Sequence, residues 1–237
     1  MELIKAEGIE KEYEHFKIQN FSLTLSEGKL FGILGPNGSG KSTIIKILTG
    51  QILPSKGNID VLGTNPIRDP IKTKEKIGII PEQESPPSFL TVTEYLEFIA
   101  KVRKLSHAKT KIHHWLDFLE LKTEKDSIIK NLSRGTKQKV LFAQAFIHEP
   151  KLVFIDEPLV NLDPLVQKKM KSFLQEYVAK GNTILLSTHI LSTAEEICDE
   201  ICILKNGKIL FRGSISESKK EKKNLEDFFV ELIENEN

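Results

Sequence analysis

The segment Gly35-Pro36-Asn37-Gly38-Ser39-Gly40-Lys41-Ser42-Thr43 carries the residue types that hold a chain of phosphates. It satisfies the pattern G-x-x-x-x-G-K-[ST], which has meaning only between a strand and a helix. Glycines let the backbone reach positive φ and bring several N–H groups close to phosphate oxygens. A helix that follows adds its open N-terminal N–H groups and positive dipole end. In such a loop Lys41 reaches the β and γ phosphates, and the Ser42 hydroxyl ligates Mg²⁺. A plain glycine-rich turn needs neither flanking element. Here both are expected, so the chemistry is that of a nucleoside triphosphate.

A second group is Leu152-Val153-Phe154-Ile155-Asp156-Glu157, an apolar run that ends in two carboxylates. Asp156 at the end of a strand can hold Mg²⁺ through water. Glu157 projects differently from its neighbour and can orient, or take a proton from, a water in line with the γ phosphate. Acids at a strand end are common alone; beside a phosphate loop they form the second half of a hydrolytic site.

The elements around these groups alternate. Leu3 to Glu27 reads as antiparallel strands, and Leu30 to Leu34 as a compact strand before the loop. Ile44, Ile45, Ile47 and Leu48 follow at helical spacing. Pro54 to Pro70 reads as loops around one short strand near Asn58 to Leu62. From Thr91 to about His148 the pattern is helical, with an apolar stripe running through Trp115 to Leu121. Strand 152–155, helix 165–179, strand 183–187 and helix 191–197 then imply a mainly parallel sheet covered by helices. Asn206-Gly207 joins strands 201–204 and 208–211 in a hairpin. A charged run and an amphipathic helix, LEDFFVELI, end the chain.

Composition narrows the class. Lys and Arg number 34 against 33 Asp and Glu, a net charge of +1 that provides no overall positive field for nucleic acid. Hydrophobic residues at 39% suit a folded core. No run approaches the roughly 20 apolar residues of a spanning helix, and the first residues lack a signal peptide's apolar core. The 2 cysteines, Cys198 and Cys202, are too few for a disulfide framework. A cytosolic, soluble chain is expected.

Leu132-Ser133-Arg134-Gly135-Thr136, followed by Lys137-Gln138-Lys139, lies shortly before the acidic strand. With the phosphate loop in this order, the chain resembles, over nearly its whole length, the nucleotide-binding subunit of ATP-binding cassette (ABC) transporters, in the export-type variant of the LSGGQ signature. The resemblance implies an α/β phosphate-loop core with a mainly parallel sheet, an N-terminal antiparallel β subdomain and an inserted helical subdomain at about 88–148, with a tail at 214–237. It implies that Tyr13 stacks on adenine, that Asp163 in NLDP belongs to the loop crossing a dimer interface, and that His189 contacts the γ phosphate. Residues 132–136 would complete the ATP site of a second copy, so that two cassettes close head to tail on two ATP molecules. A separate transmembrane permease would be the driven partner, placing the chain on the inner face of the membrane, and export is favoured over import.

Two departures stand out. The family's glutamine loop reads Ile80-Pro81-Glu82-Gln83-Glu84 here, so Glu82 falls at the position that ligates Mg²⁺ and Gln83 one beyond; which serves is open. Glutamate can still offer an oxygen to Mg²⁺. In the signature, Arg134 and Thr136 replace glycine and glutamine. Two alternatives carry weight: a non-transport ABC ATPase, disfavoured by the compact stretch between Lys41 and Ser133, and a nucleotide-gated binding module, disfavoured by Glu157 and His189 together. A GTPase is disfavoured by the lack of an NKxD-type motif.

Overall fold

The computed structural model describes residues 1–82, 86–157, 162–221 and 224–235. The chain opens with β1 (Glu2–Glu12) and β2 (Lys17–Ser26), an antiparallel pair with several register shifts. Period-two alternation sends Phe21, Leu23 and Leu25 of β2 inward. β3 (Leu30–Leu34) leads through the phosphate loop into α1 (Lys41–Leu48). β4 (Lys56–Val61) then pairs with β1, closing a three-stranded sheet of order β2-β1-β4. α2 (Pro70–Lys76) and β5 (Ile77–Ile80) follow, then α3 (Val92–Val102), α4 (Ala108–Phe118) and α5 (Arg134–Phe146). The remainder is β6 (Leu152–Asp156), α6 (Pro164–Ala179), β7 (Thr183–Thr188), α7 (Leu191–Ile197), β8 (Glu200–Lys205), β9 (Lys208–Ser214), α8 (Ile215–Glu221) and α9 (Leu225–Glu234).

The second sheet has the order β5-β6-β7-β3-β8-β9. Every pairing in it is parallel except β8 with β9. Both its faces are covered, which is why β3, β6 and β7 are buried along their whole length rather than at alternate residues. Leu30, Leu34, Val153, Ile155, Ile184 and Leu186 face a core shared with α3 to α7 and α9. Phe31, Ile33, Leu152, Phe154 and Leu185 face a second core shared with α1 and the antiparallel sheet. On the helix side, Trp115 of α4 meets Phe142 and Phe146 of α5 and Phe173 of α6, with ring centroids 5.3–6.0 Å apart. These tilted and edge-on pairings are the favourable geometries for rings of this size. Cys198 lies in the first core and Cys202 in the second; burial raises both thiols, Cys202 to about 12. Among the described residues no helix is long and apolar enough to cross a membrane.

The expected strands and helices are present, with three differences. α2 and β5 fall where the sequence pattern offers no element: α2 is short and polar with Ile71 exposed, and β5 has only four residues. The apolar stripe through Leu121 is not one helix, because α4 stops at Phe118. Leu119 and Leu121 are nevertheless buried, packed from the turn around Glu120 (φ 55°) rather than from a helical face. The charged run of the tail forms α8 as far as Glu221.

The β8–β9 turn is a two-residue connection with positive φ at both centres, Asn206 at 47° and Gly207 at 74°. That geometry matches strand twist and demands Asn-Gly chemistry. Gly207 also joins three parts of the molecule. Its N–H donates to Ser39 O of the phosphate loop (3.0 Å), and its carbonyl accepts from Gln19 N of β2 (3.0 Å). A β-carbon at Gly207 would overlap the Lys17 carbonyl oxygen. Gly207→Ala therefore combines backbone strain with a clash against main chain, and is expected to cost ~2 kcal/mol or more. Urea unfolding should show a lowered midpoint, whereas Asn206→Gly, which keeps the φ sign, should leave it within error.

Candidate nucleotide site

The loop after β3 is shaped by glycine where a side chain cannot fit. Gly40 has φ 108° and caps α1 without any side-chain bond, leaving the first N–H groups of the helix open toward the loop. A β-carbon there would strike Phe16 Cζ at 2.7 Å. Ser39 N donates to Pro36 O (3.2 Å), and the Ser39 hydroxyl is buried without a partner. Lys41 is 6% exposed, and its Nζ donates to Gly35 O (2.9 Å) and Pro36 O (3.2 Å). Burial lowers its pKa, while Glu157, Asp156 and Glu82 pull in the opposite direction. An ammonium held on neutral carbonyls beside three carboxylates is a receptor for a polyanion.

That receptor opens into a cleft of about 600 Å³. Asn37, Gly38, Gly40, Lys41, Ser42 and Thr43 form one wall, and His15, Phe16, Glu82, Glu157 and Asn206 the rest.

Oxygen donors gather at Ser42. Its Oγ donates over a long 3.4 Å to Glu82 Oε2, and it is hydrogen-bonded to Asp156. Asp156 is buried and also accepts from the Ser187 hydroxyl. Desolvation pushes its carboxyl above the usual range, against the pull of those two hydroxyls. Among the described residues no group of three or more His, Cys, Asp and Glu side chains forms a metal cluster. Two carboxylates and a hydroxyl, with the remaining ligands from phosphate and water, is the donor set Mg²⁺ uses at nucleotide sites. Gln83, the alternative to Glu82, lies outside the described residues.

Glu157 follows directly, in the left-handed region at φ 52°. Its N–H donates to Ser187 O (3.1 Å). Thr188 Oγ1 lies 3.3 Å from Glu157 Oε2, and His189 Nδ1 lies 2.8 Å from Oε1. A carboxylate only accepts, so this contact assigns the proton to Nδ1 of His189. The imidazole is half exposed and the Glu157 side chain nearly buried.

The other candidate residues lie outside the cleft. Tyr13 is 42% exposed, its ring 6.4 Å from that of Phe16 and under the ammonium of Lys11 at 5.5 Å. Phe16 and His15, not Tyr13, line the cleft wall. Ser133 is exposed and caps α5, accepting from Thr136 N at 3.1 Å; Arg134 and Gly135 begin that helix, and Leu132 packs on the helix-side core. Asp163 caps α6, accepting from Leu165 N and Val166 N at 3.1 Å each. The sequence pattern does not flag Phe16, His15, Asn206, Ser187 or Thr188. The Asn-Gly pair announces the turn at 206, but only sheet order brings it beside the phosphate loop.

Known proteins share this fold. Residues 18–160, which span the phosphate loop, Glu82, the 132–136 segment and the acidic strand, match the ABC transporter family. An uncharacterised ABC transporter ATP-binding protein of Synechocystis is 38% identical over 84% of the chain, and the chain spans only 57% of that relative's length. The Nod factor export ATP-binding protein I of Rhizobium sp. is 35% identical over 87% of the chain and 69% of its own length. Among solved structures, the ATP-binding subunit of an ABC transporter superposes with a TM-score of 0.90 at 32% identity, over 98% of this chain and 99% of that one. CbiO1 of Clostridium perfringens, part of the ABC transporter complex CbiONQ, superposes with a TM-score of 0.78 at 27% identity, over 94% of this chain and 92% of that one. The α/β architecture, the loop on Lys41 and the family match agree: the chain belongs to the ABC transporter ATP-binding family.

Proposed function

We propose that this chain hydrolyses ATP with Mg²⁺ to drive a separate transmembrane permease, in export, as one half of a head-to-tail pair of cassettes. The observation that carries this reading is the convergence of Lys41, Ser42, Glu82 and Glu157 on one cleft, with Asp156 bonded to Ser42 and His189 to Glu157, while Ser133 stands exposed outside it. ATP enters with its phosphates over the open N–H groups of α1 and beside Lys41. Ser42, Asp156 and Glu82 would hold Mg²⁺, which would supply charge neutralisation for the triphosphate. Glu157 orients a water in line with the γ phosphate and takes its proton. His189 turns its free ring edge to that phosphate.

Among the described residues nothing brings Ser133 to this cleft, so a second copy would present the capped N-terminus of α5, a dipole end suited to the γ phosphate. Residues 88–148 form the subdomain that carries it. Closure then depends on a single phosphate, and hydrolysis releases the pair. Phe89, Phe98 and Val102, all exposed on the segment after Glu82, offer an apolar face to the permease. Docking there places the chain on the inner face of the membrane. The export preference draws on the Nod factor export proteins among its relatives. Tyr13 would stack on adenine by turning in past Phe16, the aromatic that lines the cleft wall.

Glu157→Gln keeps shape and removes the base. ATP binding should persist while turnover falls at least ~100-fold and a closed ATP-bound dimer accumulates on sizing columns; undiminished hydrolysis would contradict the role. Asp156→Asn separates the metal from the fold. Its folded pKa is raised, so the ionised carboxylate at neutral pH destabilises the nucleotide-free protein, and neutralising it relieves that cost. The nucleotide-free Tm should therefore rise. The further rise on adding ATP with Mg²⁺ should disappear.

A further inference from the structure

The end of β7 grips Glu157 by more than the histidine. Thr188, the last residue of that strand, is 3% exposed. Its Oγ1 accepts the N–H of Ile190 at 3.0 Å, at the start of α7. With a lone pair engaged there, the hydroxyl proton is free to point at a second acceptor, and Glu157 Oε2 stands 3.3 Å away. His189 Nδ1 takes the other oxygen, Oε1, at 2.8 Å. Two consecutive residues therefore hold the two oxygens of one carboxylate, and the residue before them, Ser187, accepts the Glu157 N–H. The two holds are unequal in kind. The imidazole is half exposed, whereas the threonine is buried and bonded to Ile190.

We propose that Thr188 is a positioning residue for hydrolysis: its hydroxyl holds Oε2 and keeps the Glu157 carboxylate aimed while His189, on Oε1, turns its free ring edge to the γ phosphate. This rests on the reading of Glu157 as the base. A carboxylate held at one oxygen alone would rotate about its last torsion and lose the attacking water; a misaligned catalytic group is costly in rate while substrate affinity is untouched. The same hydroxyl links the base to α7 through Ile190, so movement of the histidine loop and aim of the base are set by one atom.

The test uses three substitutions at one position in the full chain. Thr188→Val keeps the β-branched shape without the hydroxyl, Thr188→Ala removes both, and Thr188→Ser keeps the hydroxyl with less bulk. Val and Ala should each lower kcat by about tenfold or more with KM for ATP within about twofold, and Ser should restore most of the rate. A loss that follows side-chain bulk, with Val normal and Ser and Ala impaired, would overturn the proposal. So would a kcat that stays at the parent level in both Val and Ala, or a loss confined to KM. Glu157→Gln measured in parallel separates the two layers. An inactive Gln variant beside a fully active Val variant refutes the role of Thr188 alone. A fully active Gln variant refutes the base itself, and this proposal with it.

Discussion

An ammonium taken out of water is costly until an anion reaches it, and Lys41 is such an ammonium. Burial depresses its pKa, and its nearest partners are two backbone carbonyls of its own loop. The surrounding architecture keeps it in that condition. Gly40 bends the loop tightly over Phe16 and Ile18, and Gly207 ties Ser39 to the β8–β9 turn. The three nearby carboxylates favour the charged form without neutralising it by direct pairing. Triphosphate with a divalent cation satisfies both signs at once, which neither ion would do alone. The loop is thus stable as a shape and incomplete as an electrostatic system.

Sheet order decides what can join it. Because β5, β6, β7, β3 and β8 are parallel neighbours, their C-terminal ends stand in a row. Each end delivers one part: Glu82 after β5, Asp156 and Glu157 at β6, Thr188 and His189 at β7, the phosphate loop after β3, and Asn206 after β8. In the chain these parts are widely separated and in a different order. The fold converts a scattered set into one rim, at the edge of a sheet buried on both faces.

Local signals made much of this legible. The phosphate loop, the acidic strand end and the strand–helix alternation each occupy one short window, so spacing alone identifies them. Asp156 and Glu157 have contrasting surroundings, one buried among hydroxyls and the other held by a histidine, and that contrast is invisible in an Asp-Glu pair. Ser187 and Thr188 carry no pattern of their own and matter because β7 lies beside β6. Phe16 lines the cleft because β2 begins beneath Gly40, a fact of tertiary packing, while Tyr13 draws attention only as a type. α2 and β5 were beyond reach because one lacks an apolar stripe and the other is too short to show a period. Ser133 and Asp163 act as helix caps within one copy of the chain, so any role across an interface lies outside what a single fold can display.

That interface is the decisive matter. Asp is as good a helix cap as Ser but carries charge that repels phosphate, so Ser133→Asp should preserve α5 while spoiling the face that the proposed pairing would offer to a partner's ATP. Lys41→Ala spoils the other half. A composite site predicts that each variant alone is inactive and that mixing them restores hydrolysis, because one of the two sites in a mixed pair has both halves intact. A Ser133→Asp protein that hydrolyses ATP at the parent rate, or a mixture as inactive as its components, would contradict the account.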